Sequence, residues 1–472
     1  MEKDGELHLF HLQIPEDNCP LPEKQSKALG HAVSVDGLHW ERREEILSPA
    51  FDEDHPIDYL QKYTGCTVEK AGKGYLFYTM QDKVGCQRIG LALSDDWEKW
   101  TALKEPILEP DDSVLLGYRN KSEYNWNLVD CRDMVIIARP SGKGYYGYFA
   151  AAADVGRGNP VGVIAMAESE DLYTWSNQRI VYIPRQNGMI EVPDVYEING
   201  KWILTFLCGP SYIGRGCAND DYINNATLYA MADSPEGPFL EGDDNILIGG
   251  LSFSGASCRT VVWQGKRWLF YTDRAHGGST ISYPKELKFS DGVLRACYTK
   301  QMELLRKQAI KIPKTLERFH NSFAWYTYGG ETKTTDVGFS LVTTPMDYHL
   351  TGFDVAAESV EFSADVSVDA FGGGFYVSTV GKNYVFSLEP DAGRVLLAEL
   401  YDFRYVSARR YHFNRNQAYF VRGVMTDGVL ELYINDELLL QCGLEFGVIQ
   451  KLGFFCDRGN MKADNVSAFE LE

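Results

Sequence analysis

Five aromatic-rich runs recur along the N-terminal part of this 472-residue chain, each entered through a turn signal. They are Glu6-Leu7-His8-Leu9-Phe10, Gly74-Tyr75-Leu76-Phe77-Tyr78, Tyr145-Tyr146-Gly147-Tyr148-Phe149, Trp202-Ile203-Leu204-Thr205-Phe206 and Arg267-Trp268-Leu269-Phe270-Tyr271. The turns before them are Asp4-Gly5, Gly72-Lys73, Gly142-Lys143, Asn199-Gly200 and Gln264-Gly265. Each run therefore reads as the returning strand of a β-hairpin. After the first three hairpins comes a second repeat that ends in tryptophan: Ser34 to Trp40, Ser94 to Trp100 and Ser169 to Trp175. Ser234 to Phe239 is a degenerate fourth copy. A repeated unit of this size, holding about four short strands, is the sequence mark of a β-propeller. Residues 1–300 accommodate five such units. A large antiparallel sandwich with chance resemblance between hairpins is the alternative.

Residues 301–319 break the pattern. Met302 to Gln308 reads as a short helical run stopped by Pro313, and this is the expected linker. Alternation with period two then resumes over 320–472, as in Val360 to Val366 and Val429 to Ile434. No helical periodicity accompanies it, which predicts a β-sandwich. The expected chain is all-β: a five-bladed β-propeller followed by a C-terminal β-sandwich that supplies no catalytic acid.

Composition narrows the partners. A net charge of -20 repels phosphate, so neither nucleic acid nor an anionic membrane is an expected partner, whereas a neutral sugar is compatible. The ten cysteines show no paired or zinc-like spacing, and Cys66, Cys208 and Cys456 sit in apolar runs. Free thiols and a reducing, cytoplasmic setting follow as expectations. No cofactor or metal is expected. Asp54, His55 and Asp58 form a small acid–histidine group in a loop, but nothing else with ligand spacing joins them.

The hairpin of Val192 to Ile198 and Lys201 to Phe206 carries an acid, Glu191, at its mouth. Pro193 makes its first strand irregular or an edge. Asp133 opens the third hairpin as Glu191 opens the fourth. Acids at equivalent blade positions converge on one end of a propeller axis, however distant in sequence. Two carboxylates facing one cavity repel, so one retains its proton towards neutral pH, while Arg132 helps to keep Asp133 ionised. Hydrolysis of a glycosidic bond needs such a division of labour. His31 and His39 read as structural members of the repeat. Tyr63 and Thr64 stand either at the funnel or in the packing between blades.

The run Leu29-Gly30-His31-Ala32-Val33-Ser34-Val35-Asp36-Gly37-Leu38-His39-Trp40 closely resembles a segment of glycoside hydrolase family 32, which holds invertases, inulinases and levanases. Tyr63-Thr64-Gly65-Cys66, Cys131-Arg132-Asp133 and Glu191-Val192-Pro193-Asp194 resemble three further family motifs, in the family's order. The resemblance implies a propeller followed by a sandwich and an oligosaccharide substrate of the β-fructofuranoside type. It implies Glu191 as general acid/base and Asp133 as transition-state stabiliser, with Arg132, Tyr63, Thr64 and Asp194 around the sugar. The chain departs from the family in one respect that bears on chemistry. The family's aspartate nucleophile lies on the first strand of blade one, whereas Leu7 to Phe10 matches the second strand. The expectation is a first blade lacking its innermost strand, with the nucleophile encoded upstream of Met1 or lost. A sugar-binding protein without turnover and an inverting glycosidase are the rival readings.

Overall fold

The computed structural model describes residues 1–14, 27–49, 56–58, 61–117, 130–186, 188–209, 212–213, 222–223, 225–250, 256–273, 280–319, 327–400, 404–426, 428–444 and 447–472. Strands dominate these residues, and helix is limited to 3-10 turns such as Lys300–Leu305. The chain groups into two units. One comprises Met1–Tyr212, Leu228–Gly242 and Ser257–Trp268; the other comprises Ile213–Thr227, Asp243–Ala256 and Leu269–Glu472.

In the first unit the hairpin repeat builds successive antiparallel sheets. The first runs Glu2–Lys3, Glu6–Gln13, Ala28–Ser34, Glu41–Arg42, and the second Gln61–Lys70, Lys73–Gln81, Gln87–Ser94, Thr101–Ala102. The third runs Cys131–Ala138, Tyr145–Ala153, Val161–Ser169, Ser176–Tyr182, and the fourth opens with Ile190–Ile198 and Lys201–Cys208. Asp4 and Gly5, Ala71 and Gly72, and Asn199 and Gly200 all have positive φ, as a type I′ turn demands. Tyr145–Ala153 is buried along nearly its whole length because both faces are covered, so it reads as a continuous small apolar run.

The tryptophan-ending repeat is a turn device. Ser34, Ser94 and Ser169 each accept the backbone N–H three residues on, at 2.8–2.9 Å. Asp36, Asp96 and Asp171 each accept two further backbone N–H groups through Oδ1. This chemistry lets Gly37, Trp97 and Leu172 take positive φ at the same place in three sheets. The tryptophans that follow pack over glycines of the returning strands. A Cβ on Gly74 would stand 2.7 Å from the Trp100 ring, and one on Gly147 would stand 2.0 Å from Met134 and 2.8 Å from Trp175. Leu76, Tyr78, Trp97 and Trp100 belong to one buried cluster, and Phe77, Leu91, Phe149 and Val163 to the next.

Two expectations are corrected. Among the described residues there are four separate four-stranded sheets at the head of the chain, not five. The Gln264–Gly265 hairpin forms, but its strands Ala256–Trp263 and Lys266–Asp273 head a sheet that continues through the C-terminal part. The reason is visible at Cys297, which ends Val293–Cys297 and pairs with Glu437, so the ladder is extended rather than closed. The first sheet does hold an innermost strand. It is two residues long, Glu2–Lys3, where the next three sheets have ten, eight and nine residues.

Residues 301–319 carry pairing strands as well as the 3-10 turn. Arg306–Ala309 pairs with Ile449–Leu471, and Glu317–Arg318 pairs with Asp347–Ala357. The C-terminal part is a sheet domain built on two long strands, Val360–Thr379 and Ile449–Leu471, around Phe362, Phe375 and Phe454. Val360–Thr379 changes partner along its length, from Ala418–Thr426 to Lys382–Glu389.

Candidate active site

The site is built from irregularities in the innermost strands. In the second sheet the pairing Gly65↔Tyr78 is followed by Tyr63↔Thr79, leaving Thr64 over. In the third, Val135↔Tyr148 is followed by Arg132↔Ala150. In the fourth, Asp194↔Thr205 is followed by Glu191↔Leu207. Each is a β-bulge, an extra residue on one strand that kinks it and re-aims the side chains beside it. Asp133 and Val192 have φ of 59° and 52° within these bulges. The irregularity expected at Pro193 is there, on an edge strand.

The register changes one sequence expectation. Glu191 is the counterpart of Arg132 and of Tyr63, the residue at which the ladder resumes. Asp133 is the counterpart of Val192, inside the bulge. The acid and the guanidinium, not the two acids, hold matching places in neighbouring sheets.

The arrangement nevertheless brings both acids together. Arg132 Nε lies 3.3 Å from Glu191 Oε2 and 3.6 Å from Asp133 Oδ2, and Arg132 Nη1 lies 2.5 Å from Asp130 Oδ1. Nη1 also donates to Gln87 Oε1 at 3.3 Å. Three carboxylates thus share one guanidinium. Burial works to lower the Arg132 pKa, but Asp130, Asp133 and Glu191 outweigh it and hold the guanidinium firmly charged. Glu191 is the open member of the set, with 42% of its side chain accessible against 2% for Asp133. Burial by surrounding atoms raises the Glu191 pKa; Arg132 opposes the rise, and the charge on Asp133 adds to it. A carboxyl so placed holds its proton to higher pH than an ordinary glutamate.

Thr64 and Tyr63 join the cluster in different ways. The Thr64 hydroxyl donates to Asp133 Oδ1. Burial raises the pKa of the half-buried Tyr63 phenol, which sits within the field of Arg132, Glu191 and Asp133. Asp194 lies elsewhere: its Oδ2 accepts the Thr260 N–H at 2.7 Å, and it is buried. His31 is fully buried, with Nε2 at 3.0 Å from His8 Nδ1, while His39 pairs with Asp36 in the turn. Among the described residues no cluster of three His, Cys, Asp or Glu side chains could hold a metal. Asp54 and His55 lie outside those residues, and Asp58 is ion-paired with Lys62.

Sequence reasoning missed Asp130, Thr79 and Gln87. Asp130 had a signal, since residues two apart near a strand share a face, and it stands two before Arg132. Thr79 and Gln87 come from the second and third strands of the neighbouring sheet, and no local pattern marks them.

Sheets in propeller-like succession bring carboxylates and a guanidinium together at the bulges of their innermost strands, and paired carboxyls are what glycoside hydrolysis uses. The profile of the glycosyl hydrolases family 32 N-terminal domain matches residues 1–247, and the chain belongs to that family. Its fold is similar to that of a family 32 β-fructofuranosidase from Bombyx mori, with a TM-score of 0.69 at 16% identity over 100% of this chain and 89% of the other. A sucrose-6-phosphate hydrolase from Lactobacillus gasseri gives 0.69 at 16% over 99% and 88%. Fructan 1-exohydrolase IIa from Cichorium intybus gives 0.68 at 13% over 99% and 93%.

Proposed function

We propose that this chain is a glycosidase acting on β-fructofuranosides or a related furanoside, with Glu191 as the group that gives and takes the proton. The observation that carries this reading is the state of Glu191. It is the accessible carboxyl of a buried cluster in which three acids share one cation, and its pKa is raised. A general acid must hold its proton towards the working pH and be open to the leaving oxygen, and the upward shift and the accessibility of Glu191 both favour that role. Arg132 keeps the carboxyl aimed, and the negative charge of Asp133 opposes the positive charge that grows on the sugar ring. An oligosaccharide ligand is supported by related folds that hold sucrose, in a Bombyx mori β-fructofuranosidase variant, and 1-kestose, in a Cichorium intybus fructan 1-exohydrolase variant.

A second reading is a sugar-binding protein without turnover. What favours it is the acid inventory: among the described residues Arg132 pairs with Asp130, Asp133 and Glu191 only, and the first two are buried. Among the described residues that pair with Arg132, no second open carboxylate stands ready to attack the anomeric carbon. Incubating the protein with sucrose, short fructans, arabinans and xylo-oligosaccharides, beside Glu191→Gln, tests both readings. Release of monosaccharide by the native chain alone establishes the hydrolase. Calorimetric binding with no release by either protein establishes the second reading and overturns the first.

A further inference from the structure

Arg132 reaches Asp130 and the other two acids through different nitrogens. Asp130 stands at the entry to Cys131–Ala138, and its Oδ1 accepts from Arg132 Nη1 at 2.5 Å. Gln87 Oε1, from the strand Gln87–Ser94 of the second sheet, accepts from the same nitrogen at 3.3 Å. Nε is thereby left to Glu191 at 3.3 Å and Asp133 at 3.6 Å. A guanidinium is planar and rigid, so a hold on Nη1 also aims Nε. The charges in this group do not balance. Arg132 and Asp130 are covered, with 9% and 7% of their side chains accessible. Three carboxylates on one guanidinium leave an excess of negative charge, and crowded carboxylates favour a proton on one of them. Glu191, the open member, is the one placed to take it. Burial raises its pKa, Arg132 opposes the rise, and Asp133 and Asp130 add to it, while the Tyr63 phenol faces the same group.

We propose that Asp130 is a positioning residue for proton transfer: it anchors Arg132 so that Nε–H stays on Glu191, and it supplies a negative charge that the single cation cannot balance. Its part in turnover rests on the glycosidase reading; its hold on Arg132 and its effect on Glu191 do not.

Two variants separate the charge from the anchor. Asp130→Asn keeps the shape, and its amide oxygen still accepts from Nη1. Only the negative charge is lost, so Glu191 should titrate at lower pH, read from its 13C carboxyl resonance in the ligand-free protein. Asp130→Ala removes the anchor as well, so exchange of the Arg132 Nε–H with water should quicken by about tenfold or more, whereas Asp130→Asn should leave it near the parent rate. If the enzyme turns over, the alkaline limb of kcat/KM moves to lower pH in Asp130→Asn, while KM for the sugar stays within about twofold of the parent. An unshifted Glu191 titration in Asp130→Asn overturns the proposal. So does an Arg132 Nε–H that exchanges equally fast in Asp130→Ala and the parent. A rise of about tenfold or more in KM or Kd in Asp130→Asn overturns it too, since that requires direct contact with the sugar. Should Asp130→Ala not fold, the Asp130→Asn titration still decides. A parent chain without turnover refutes the hydrolase alone, because titration and exchange are read without substrate.

Discussion

Arg132 Nε and Glu191 Oε2 lie 3.3 Å apart, and the two residues occupy the same register place in adjacent sheets. The pair is a product of two separate bulges brought edge to edge. Its effect on Glu191 is mixed: the guanidinium favours the ionised form, while burial and Asp133 favour the protonated one, and the net direction is upward.

If Glu191 is the general acid, Glu191→Gln should slow hydrolysis of sucrose-like substrates by about two to four orders of magnitude. Substrates with activated aryl leaving groups should suffer less. The pH profile follows from the raised pKa. The carboxyl is protonated below that pKa, so kcat/KM should fall as pH rises through it, and this alkaline limb should be absent from Glu191→Gln. The same sign governs folding. A carboxyl raised in the native state favours folding most below its unfolded pKa, and the gain is lost as pH rises through the native one. A flat alkaline limb in the parent enzyme would remove Glu191 from the acid role.

Ser169→Ala should lower stability by about 1 kcal/mol in urea unfolding. The Ser169 hydroxyl accepts the buried Leu172 N–H at 2.9 Å, and the neighbouring Asp171 carboxylate is already bonded to Tyr173 and Thr174. A midpoint equal to that of the parent would mean that the turn needs only its aspartate.

Gly147→Ala should destabilise by about 1–3 kcal/mol. The added methyl meets the end of Met134, which can move, and the Trp175 ring at 2.8 Å, which cannot without opening the contact between strand and turn. Thermal unfolding reads the loss, and Gly147→Ala combined with Met134→Ala should recover only the part due to methionine.

In the C-terminal unit Lys285 is fully buried and 3.0 Å from Glu431, whose carboxylate also accepts the Tyr271 and Tyr433 hydroxyls. Burial lowers the Lys285 pKa, and Glu431 opposes the shift. Lys285→Met leaves that carboxylate without its cation and should cost about 3–5 kcal/mol in denaturant unfolding. Lys285→Met with Glu431→Gln should cost less than the single change; equal costs would show that the tyrosines alone satisfy Glu431.

The hairpins, their turn residues and the tryptophan repeat were legible because each depends on residues close in sequence. Asn199-Gly200 demands positive φ, and Ser169 and Asp171 bond amides two or three residues away. The acids Glu191 and Asp133 and the cation Arg132 were legible through motif and hairpin position. The sequence by itself could not place them in register, because the bulge residue shifts the strand by one and no local pattern says where. Only the tertiary structure made Arg132 the counterpart of Glu191, brought Thr64 and Thr79 onto Asp133, and sent Asp194 to Thr260. It also decided the sheet count. The fifth hairpin carries the same local signal as the others, and what differs is the partner its sheet finds at Cys297 and Glu437. Strand pairing over such distances is settled by which edges meet, a property of the folded chain and not of any short run within it.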